Sequence, residues 1–114
     1  PDKTPIRDYV NVVDLNEAHL KGLEHLFAGG ANNIINLGTE TGNSVLEIVS
    51  KVKEITGVTF NIGKSAPREG DDAKKIANIT KAKEVLGWEP KRTIEDSVKS
   101  LVIWYKLHPH GWER

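Results

Sequence analysis

Ile34-Ile35-Asn36-Leu37-Gly38 runs into the polar loop Thr39-Glu40-Thr41-Gly42-Asn43 and then into Ser44-Val45-Leu46-Glu47. Four residues with three large apolar side chains, closed by glycine, form the pattern of a short buried strand. Ser44 with Glu47 three residues later is a capping box, in which each residue satisfies a backbone N–H of the other. Val45, Ile48, Val49, Val52 and Ile55 follow at helical spacing, and Gly57 supplies the stop. Strand, loop and helix in this order place the chain among the α/β or α+β folds.

The segments on either side extend the alternation. Upstream, the β-branched and aromatic run Tyr9-Val10-Asn11-Val12-Val13 reads as extended chain. Asp14, with Glu17 three residues on, then reads as the cap of a helix running to about Phe27 and stopped by Gly29-Gly30. Its apolar residues fall on two faces: Leu15, Ala18, Gly22 and Leu26 on one, Leu20, Leu23 and Phe27 on the other. A helix apolar on two sides needs cover on both, so in so small a chain the second cover is expected to be missing, and the chain is expected to dimerise, swap elements or be only marginally stable. Downstream, Val58 to Ile62 alternates as a half-buried strand does. Thr80 reads as the cap of a short helix through Leu86, closed by Gly87. Thr93 caps a last helix with Ile94, Val98, Leu101, Val102 and Tyr105 on one face, ended at Pro109. The expected inventory is about four helices with two or three short strands.

Composition sets the bounds. At 114 residues the chain is one domain or part of one, with 38% hydrophobic and 28% charged residues, the balance of an ordinary globular protein. Sixteen basic residues cancel sixteen acidic ones, so no overall field attracts nucleic acid or an anionic membrane. There is no cysteine, hence no disulfide and no thiolate metal site, and no apolar run reaches the roughly 18 residues of a membrane span. These features fit a cytoplasmic protein. The absence of any methionine suggests a piece of a longer chain.

Two polar clusters carry candidate chemistry. Ala66-Pro67-Arg68-Glu69-Gly70-Asp71 offers a cation, a flexible glycine and two carboxylates. Arg68 has the fork geometry for a phosphate, Asp71 the acceptors for a vicinal diol, and Gly70 the bare backbone for close approach. A nucleoside diphosphate wants all three, although the same residues also suit a polar surface turn. Arg7-Asp8-Tyr9 adds a second guanidinium and a ring. If folding brings Arg7 near Arg68, the pair can clamp a diphosphate with Tyr9 positioning the nucleotide; otherwise Arg7 and Asp8 are solvated and Tyr9 is core. The Gly38–Ser44 turn lacks the lysine of a P-loop and the glycine spacing of a dinucleotide turn, and reads as a plain connection. His19 and His25 diverge by about 240° on their helix, and neither they nor His108 and His110 make a metal ligand set. No catalytic residue, cofactor site or metal site is expected from the residues themselves.

Ile6-Arg7-Asp8-Tyr9-Val10, Val12-Val13-Asp14-Leu15, Asn36-Leu37-Gly38, Ser44-Val45 and Pro67-Arg68-Glu69-Gly70-Asp71 form an ordered series. Lys81-Ala82-Lys83, Leu86-Gly87-Trp88 and His108-Pro109-His110-Gly111-Trp112 continue it. Together they resemble the C-terminal part of the UDP-glucose 4-epimerases (UDP-galactose 4-epimerases), extended short-chain dehydrogenases/reductases, over essentially the whole chain. The resemblance implies a much longer parent whose N-terminal Rossmann domain holds NAD and supplies a Tyr-x-x-x-Lys pair. Residues 1–114 would then be the UDP-binding, substrate-side portion, inactive alone and partnered by the parent's own Rossmann domain, with a homodimer possible. It also implies Arg7 and Arg68 on the diphosphate, Tyr9 in the nucleotide pocket and Asp71 on the ribose hydroxyls.

The chain departs from the family in three places. Asp72-Ala73-Lys74-Lys75-Ile76 is unusually charged, Asn11 stands for the commoner histidine, and Trp112 for the usual tyrosine. A related UDP-sugar decarboxylase or dehydratase, a stand-alone nucleotide-sugar binding module and a small interaction domain in which Arg68 and Asp71 pair with each other are the alternatives.

Overall fold

The structure, a computed structural model, describes residues 2–112. It contains α1 (Val12–Phe27), α2 (Val45–Thr56), α3 (Thr80–Leu86) and α4 (Ile94–Leu107), with three two-residue strands, β1 (Ile6–Arg7), β2 (Asn43–Ser44) and β3 (Lys74–Lys75). The sheet order is β2-β1-β3. β1 and β2 run antiparallel with Ile6 opposite Ser44 and Arg7 opposite Asn43. β1 and β3 run parallel, with Ile6 opposite Lys74 and Arg7 opposite Lys75. The four helices and small sheet agree with the expected α/β inventory.

The caps explain where most helices begin and end. Ser44 accepts from the Glu47 N–H at 3.1 Å while Glu47 accepts from the Ser44 N–H at 2.6 Å. Thr93 and Asp96 form the same reciprocal box at α4. Gly57 and Gly87 close α2 and α3 at φ +67° and +59°, in the left-handed region that favours glycine.

Three placements differ from the sequence reading. α1 starts at Val12, not after Asp14, because Asn11 is the cap: its carboxamide oxygen accepts from the Val13 N–H at 2.9 Å, and its Nδ2 donates to Ser97 Oγ at 2.8 Å on α4. Capping there overrides the β propensity of Val12 and Val13. Thr80 is the first residue of α3 and does not cap it; the Asn78 side chain accepts from its N–H at 3.0 Å instead. Ile34–Leu37 and Val58–Ile62 belong to no sheet: a ladder needs backbone pairing, and they make no backbone-to-backbone hydrogen bond among the described residues.

The core is small. Ala18, Ile79, Ala82 and Trp88 form the buried cluster, with Val10, Ile35, Leu37, Ala77 and Leu86 packed against it. α2 and α4 pair separately; Lys51 of α2 bridges to Glu95 of α4 at 2.9 Å, which raises the lysine's pKa and lowers the carboxyl's. The radius of gyration is 17.2 Å, against about 13 Å for a compact domain of this length. The open shape reflects how little apolar surface the chain covers by itself.

α1 carries a large share of that shortfall, and α4 another. Leu20, Leu23 and Leu26 are half-exposed and Phe27 is 87% exposed. The outer face read from the sequence is therefore bare, joined by Leu26, which the helical spacing had placed on the inner one. Sedimentation at increasing concentration is expected to show self-association, which Leu23→Ser with Phe27→Ser reduces. A stable monomer at high concentration would contradict this.

Candidate functional site

β1 carries Arg7 into the centre of the sheet, and the pairing of β1 with β3 delivers the Arg68–Asp72 loop to it. The loop turns at Gly70, at φ +77°, with the Asp71 N–H donating to the Arg68 carbonyl at 3.3 Å. This turn puts Arg68 and Asp71 on one side.

Arg7 meets the loop directly. Its Nη2 donates to Asp71 Oδ1 at 2.5 Å and its Nη1 to the carbonyls of Asp72 at 2.7 Å and Ile6 at 2.9 Å. Arg68 Nη2 reaches the other oxygen, Asp71 Oδ2, at 3.4 Å. Two guanidinium groups thus converge on one carboxylate across 64 residues of chain. Arg7 is held, with a side chain 27% exposed, whereas Arg68 is 85% exposed and free to swing. Of the four expected ligand residues, the structure brings Arg7, Arg68 and Asp71 together. Tyr9 is half-buried two residues beyond Arg7 and makes no hydrogen bond to the other three.

Asp8 is a residue to which the sequence reading gave no role beyond, in one alternative, a solvated charge. Its carboxylate accepts from the Thr39 N–H at 2.8 Å, Thr39 Oγ1 at 2.5 Å, the Glu40 N–H at 3.2 Å and the Ala77 N–H at 3.2 Å. It ties β1 to the loop before α2 and to the chain after β3, fixing both neighbours of Arg7. A Cβ on Gly38 would meet Asp8 Oδ2 and Ala77 Cβ at 2.5 Å, so glycine is required there by contact. Glu40 continues the clamp to α3, accepting from the Ile79 N–H at 3.2 Å and Lys83 Nζ at 3.0 Å. The lysine, then the Ile79 amide, hold its carboxyl below the usual range. The Thr39 and Glu40 amides of the turn are occupied by Asp8, in keeping with a plain connection.

A second anchor lies at the α1–α4 junction. Asp14, fully buried, accepts from the Lys91 N–H at 3.1 Å, the Arg92 N–H at 2.9 Å and Arg92 Nη1 at 2.5 Å. Its carbonyl accepts from Trp88 Nε1 at 2.9 Å. Arg92 also reaches Glu17 at 3.0 Å, and the hydrogen bonds to Asp14 and then Glu17 raise the guanidinium's pKa.

The arginine cluster lies in the open. A groove of about 440 Å³ between α2 and α4, lined by Ile48, Val52, Val98, Leu101, Val102 and Tyr105 among others, does not include it. Nor does a smaller polar hollow of about 270 Å³ beside Trp88. No helix among the described residues is long and apolar enough to cross a membrane.

Comparison with known proteins agrees with this architecture. The chain is 40% identical over 113 residues to the UDP-glucose 4-epimerase of Lactobacillus helveticus, covering 98% of this chain and 34% of that protein. A solved UDP-glucose 4-epimerase superposes with a TM-score of 0.95 at 40% identity, over 100% of this chain and 35% of the other. The Bifidobacterium longum UDP-glucose 4-epimerase, solved in complex with NAD+ and UDP, superposes with a TM-score of 0.87 at 34% identity, over 98% and 33%. The chain therefore spans about a third of the length of these relatives, at their C-terminal end. The family profile described as GDP-mannose 4,6 dehydratase matches residues 2–101. With α1 to α3, the sheet, the arginine cluster and the first part of α4 falling inside that match, the chain belongs to the GDP-mannose 4,6 dehydratase family and corresponds to the C-terminal third of UDP-glucose 4-epimerases.

Proposed function

We propose that residues 1–114 are the UDP-anchoring, substrate-side portion of an NAD-dependent UDP-glucose/UDP-galactose 4-epimerase, a cytoplasmic enzyme. The observation that supports this reading most directly is the convergence of Arg7 and Arg68, far apart in sequence, on one exposed carboxylate. In this reading both arginines bind the diphosphate, Asp71 takes the ribose hydroxyls and Tyr9 borders the nucleotide. Arg7, held by two backbone carbonyls, fixes the position of the diphosphate, and exposed Arg68 closes over it.

None of these residues performs the chemistry. The Thr39 and Glu40 amides of the one candidate turn donate to Asp8, which makes that turn a poor seat for NAD. We assign NAD, which would accept and return the hydride at the sugar, and the tyrosine–lysine pair to an N-terminal Rossmann domain of the parent. The same domain is the expected cover for the bare face of α1. Alone, the chain is expected to bind without turnover.

Calorimetric titration of UDP into the chain tests the reading. Each charge-assisted hydrogen bond is worth roughly 1.5–3 kcal/mol, so Arg68→Ala should weaken UDP by about 10- to 100-fold. No UDP binding to the unaltered chain, or an unchanged affinity in Arg68→Ala, would favour the second reading. That reading is an interaction domain in which Arg68 and Asp71 serve each other, and their 3.4 Å pair supports it. Assays of the parent on UDP-galactose and UDP-glucuronate separate an epimerase from a decarboxylase or dehydratase.

A further inference from the structure

Two apolar helical surfaces stay open to solvent, one convex and one a groove. On α1, Val13, Leu20 and Phe27 recur every seven residues and so fall on one line, with Leu23 beside them. All four are exposed. Between α2 and α4, the groove of about 440 Å³ is lined by side chains such as Val52, Val98 and Val102. Leu101 and Tyr105, which also line it, are each more than half exposed. We propose that α1 of one copy docks in the α2–α4 groove of the next, joining copies of this chain head to tail.

Charge selects this occupant. On the α2–α4 pair every carboxylate is engaged: Glu47 by the Ser44 N–H, Asp96 by Thr93, and Glu54 and Glu95 by Lys51. Lys99 and Lys106 make no ion pair among the described residues. Seven residues apart, they share one edge of α4, and Lys106 itself lines the groove. The unpaired charge on this face is therefore positive. At the edge of the α1 stripe stands Glu24, exposed and without an ion pair among the described residues, while Lys21 one turn earlier lines the hollow beside Trp88. The lengths agree as well. Leu20 to Phe27 rises about 10 Å along its helix and Val98 to Lys106 about 12 Å. An apolar helix face with a carboxylate at its edge thus meets an apolar groove with ammonium groups at its rim.

The two surfaces cannot meet within one molecule. Ala18 packs the inner face of α1 into its own copy's core and Asp14 ties it to Arg92, which turns the stripe outward. Each copy offers one stripe and one groove, so the contact joins unlike surfaces and can repeat from copy to copy. The inference is independent of the UDP reading; a Rossmann domain seated on α1 would compete for the same stripe.

Sedimentation velocity on two complementary variants tests it. Leu23→Ser with Phe27→Ser spoils the stripe, and Leu101→Ser with Tyr105→Ser spoils the groove. All four positions are exposed, and circular dichroism verifies that both variants are folded. The unaltered chain should grow past the dimer as its concentration rises. Each variant alone should stay monomeric, and an equimolar mixture should form a one-to-one dimer and stop there. Lys99→Glu with Lys106→Glu should weaken association of the otherwise unaltered chain about tenfold at about 0.15 M salt. Dimers of the groove variant alone would mean that stripes pair with stripes, and dimers of the stripe variant alone that grooves pair with grooves. Either result overturns the proposal, as does a mixture that remains monomeric, an unaltered chain that never associates, or indifference to the lysine reversals.

Discussion

Asp14→Ala is expected to lower the unfolding free energy by about 3–5 kcal/mol, the range for deleting one partner of a buried ion pair. The carboxylate is fully buried and takes three hydrogen bonds, two from backbone amides of the segment that leads into α4. Alanine leaves the Lys91 and Arg92 amides without their acceptor and removes the nearer of the two carboxylates that Arg92 contacts. Glu17 cannot take over, because it reaches the Arg92 guanidinium and the Lys91 ammonium but neither backbone amide. Glu17→Ala, by contrast, removes a partner at a half-exposed position and should cost less than about 1 kcal/mol. Urea unfolding followed by circular dichroism measures both. Equal midpoints for the two variants would show that Asp14 is not the anchor.

Trp88→Ala is the companion case. Trp88 is 1% exposed and is the largest side chain in the buried cluster. Tryptophan-to-alanine truncation in a core costs about 3–5 kcal/mol, and here the Nε1 bond to the Asp14 carbonyl is lost with it. Few buried residues share the cluster, so the walls have little freedom to close the cavity. So small a core places the chain at the low end of the usual range, about 5 kcal/mol, and the variant should be largely unfolded at room temperature, visible as loss of helical ellipticity. Trp88→Phe keeps most of the volume and should cost about 1–2 kcal/mol. Because Trp88 and Asp14 are in contact, the double alanine variant should lose less than the sum of the two. Full additivity would mean that the junction is not one unit.

The helices were legible because their signals are local. Ser44 with Glu47, Thr93 with Asp96, and the glycines at 57 and 87 lie within one turn of what they cap. Asp14 was misread for the same reason. Asp14 with Glu17 has the spacing of a helix start, and only the packing of α1 against α4 shows that the cap lies at Asn11 and the carboxylate faces Arg92. The strands were misplaced because pairing is not local. Lys74-Lys75 carries no strand signal, yet it pairs with Ile6-Arg7 because the clamp around Asp8 brings the two segments side by side. The arginine cluster was half legible. Residue chemistry singled out Arg7, Arg68 and Asp71, but their meeting and the grip of Asp8 on both flanks are properties of the fold.

Ile34–Leu37 and Val58–Ile62 lie outside every helix and strand, without backbone-to-backbone hydrogen bonds among the described residues, and Ile34 is 90% exposed. Chain in this state is a template: its backbone groups outside any ladder and its exposed side chains, Ile34, Val58, Phe60 and Ile62, accept a strand that arrives, including the same segment of another copy. An unaccompanied copy is thus open both to cross-β assembly and to proteases, which cut extended chain more readily than helix. Its lifetime in a crowded solution would be governed by how soon those two segments are covered, and only secondarily by the depth of the core around Trp88.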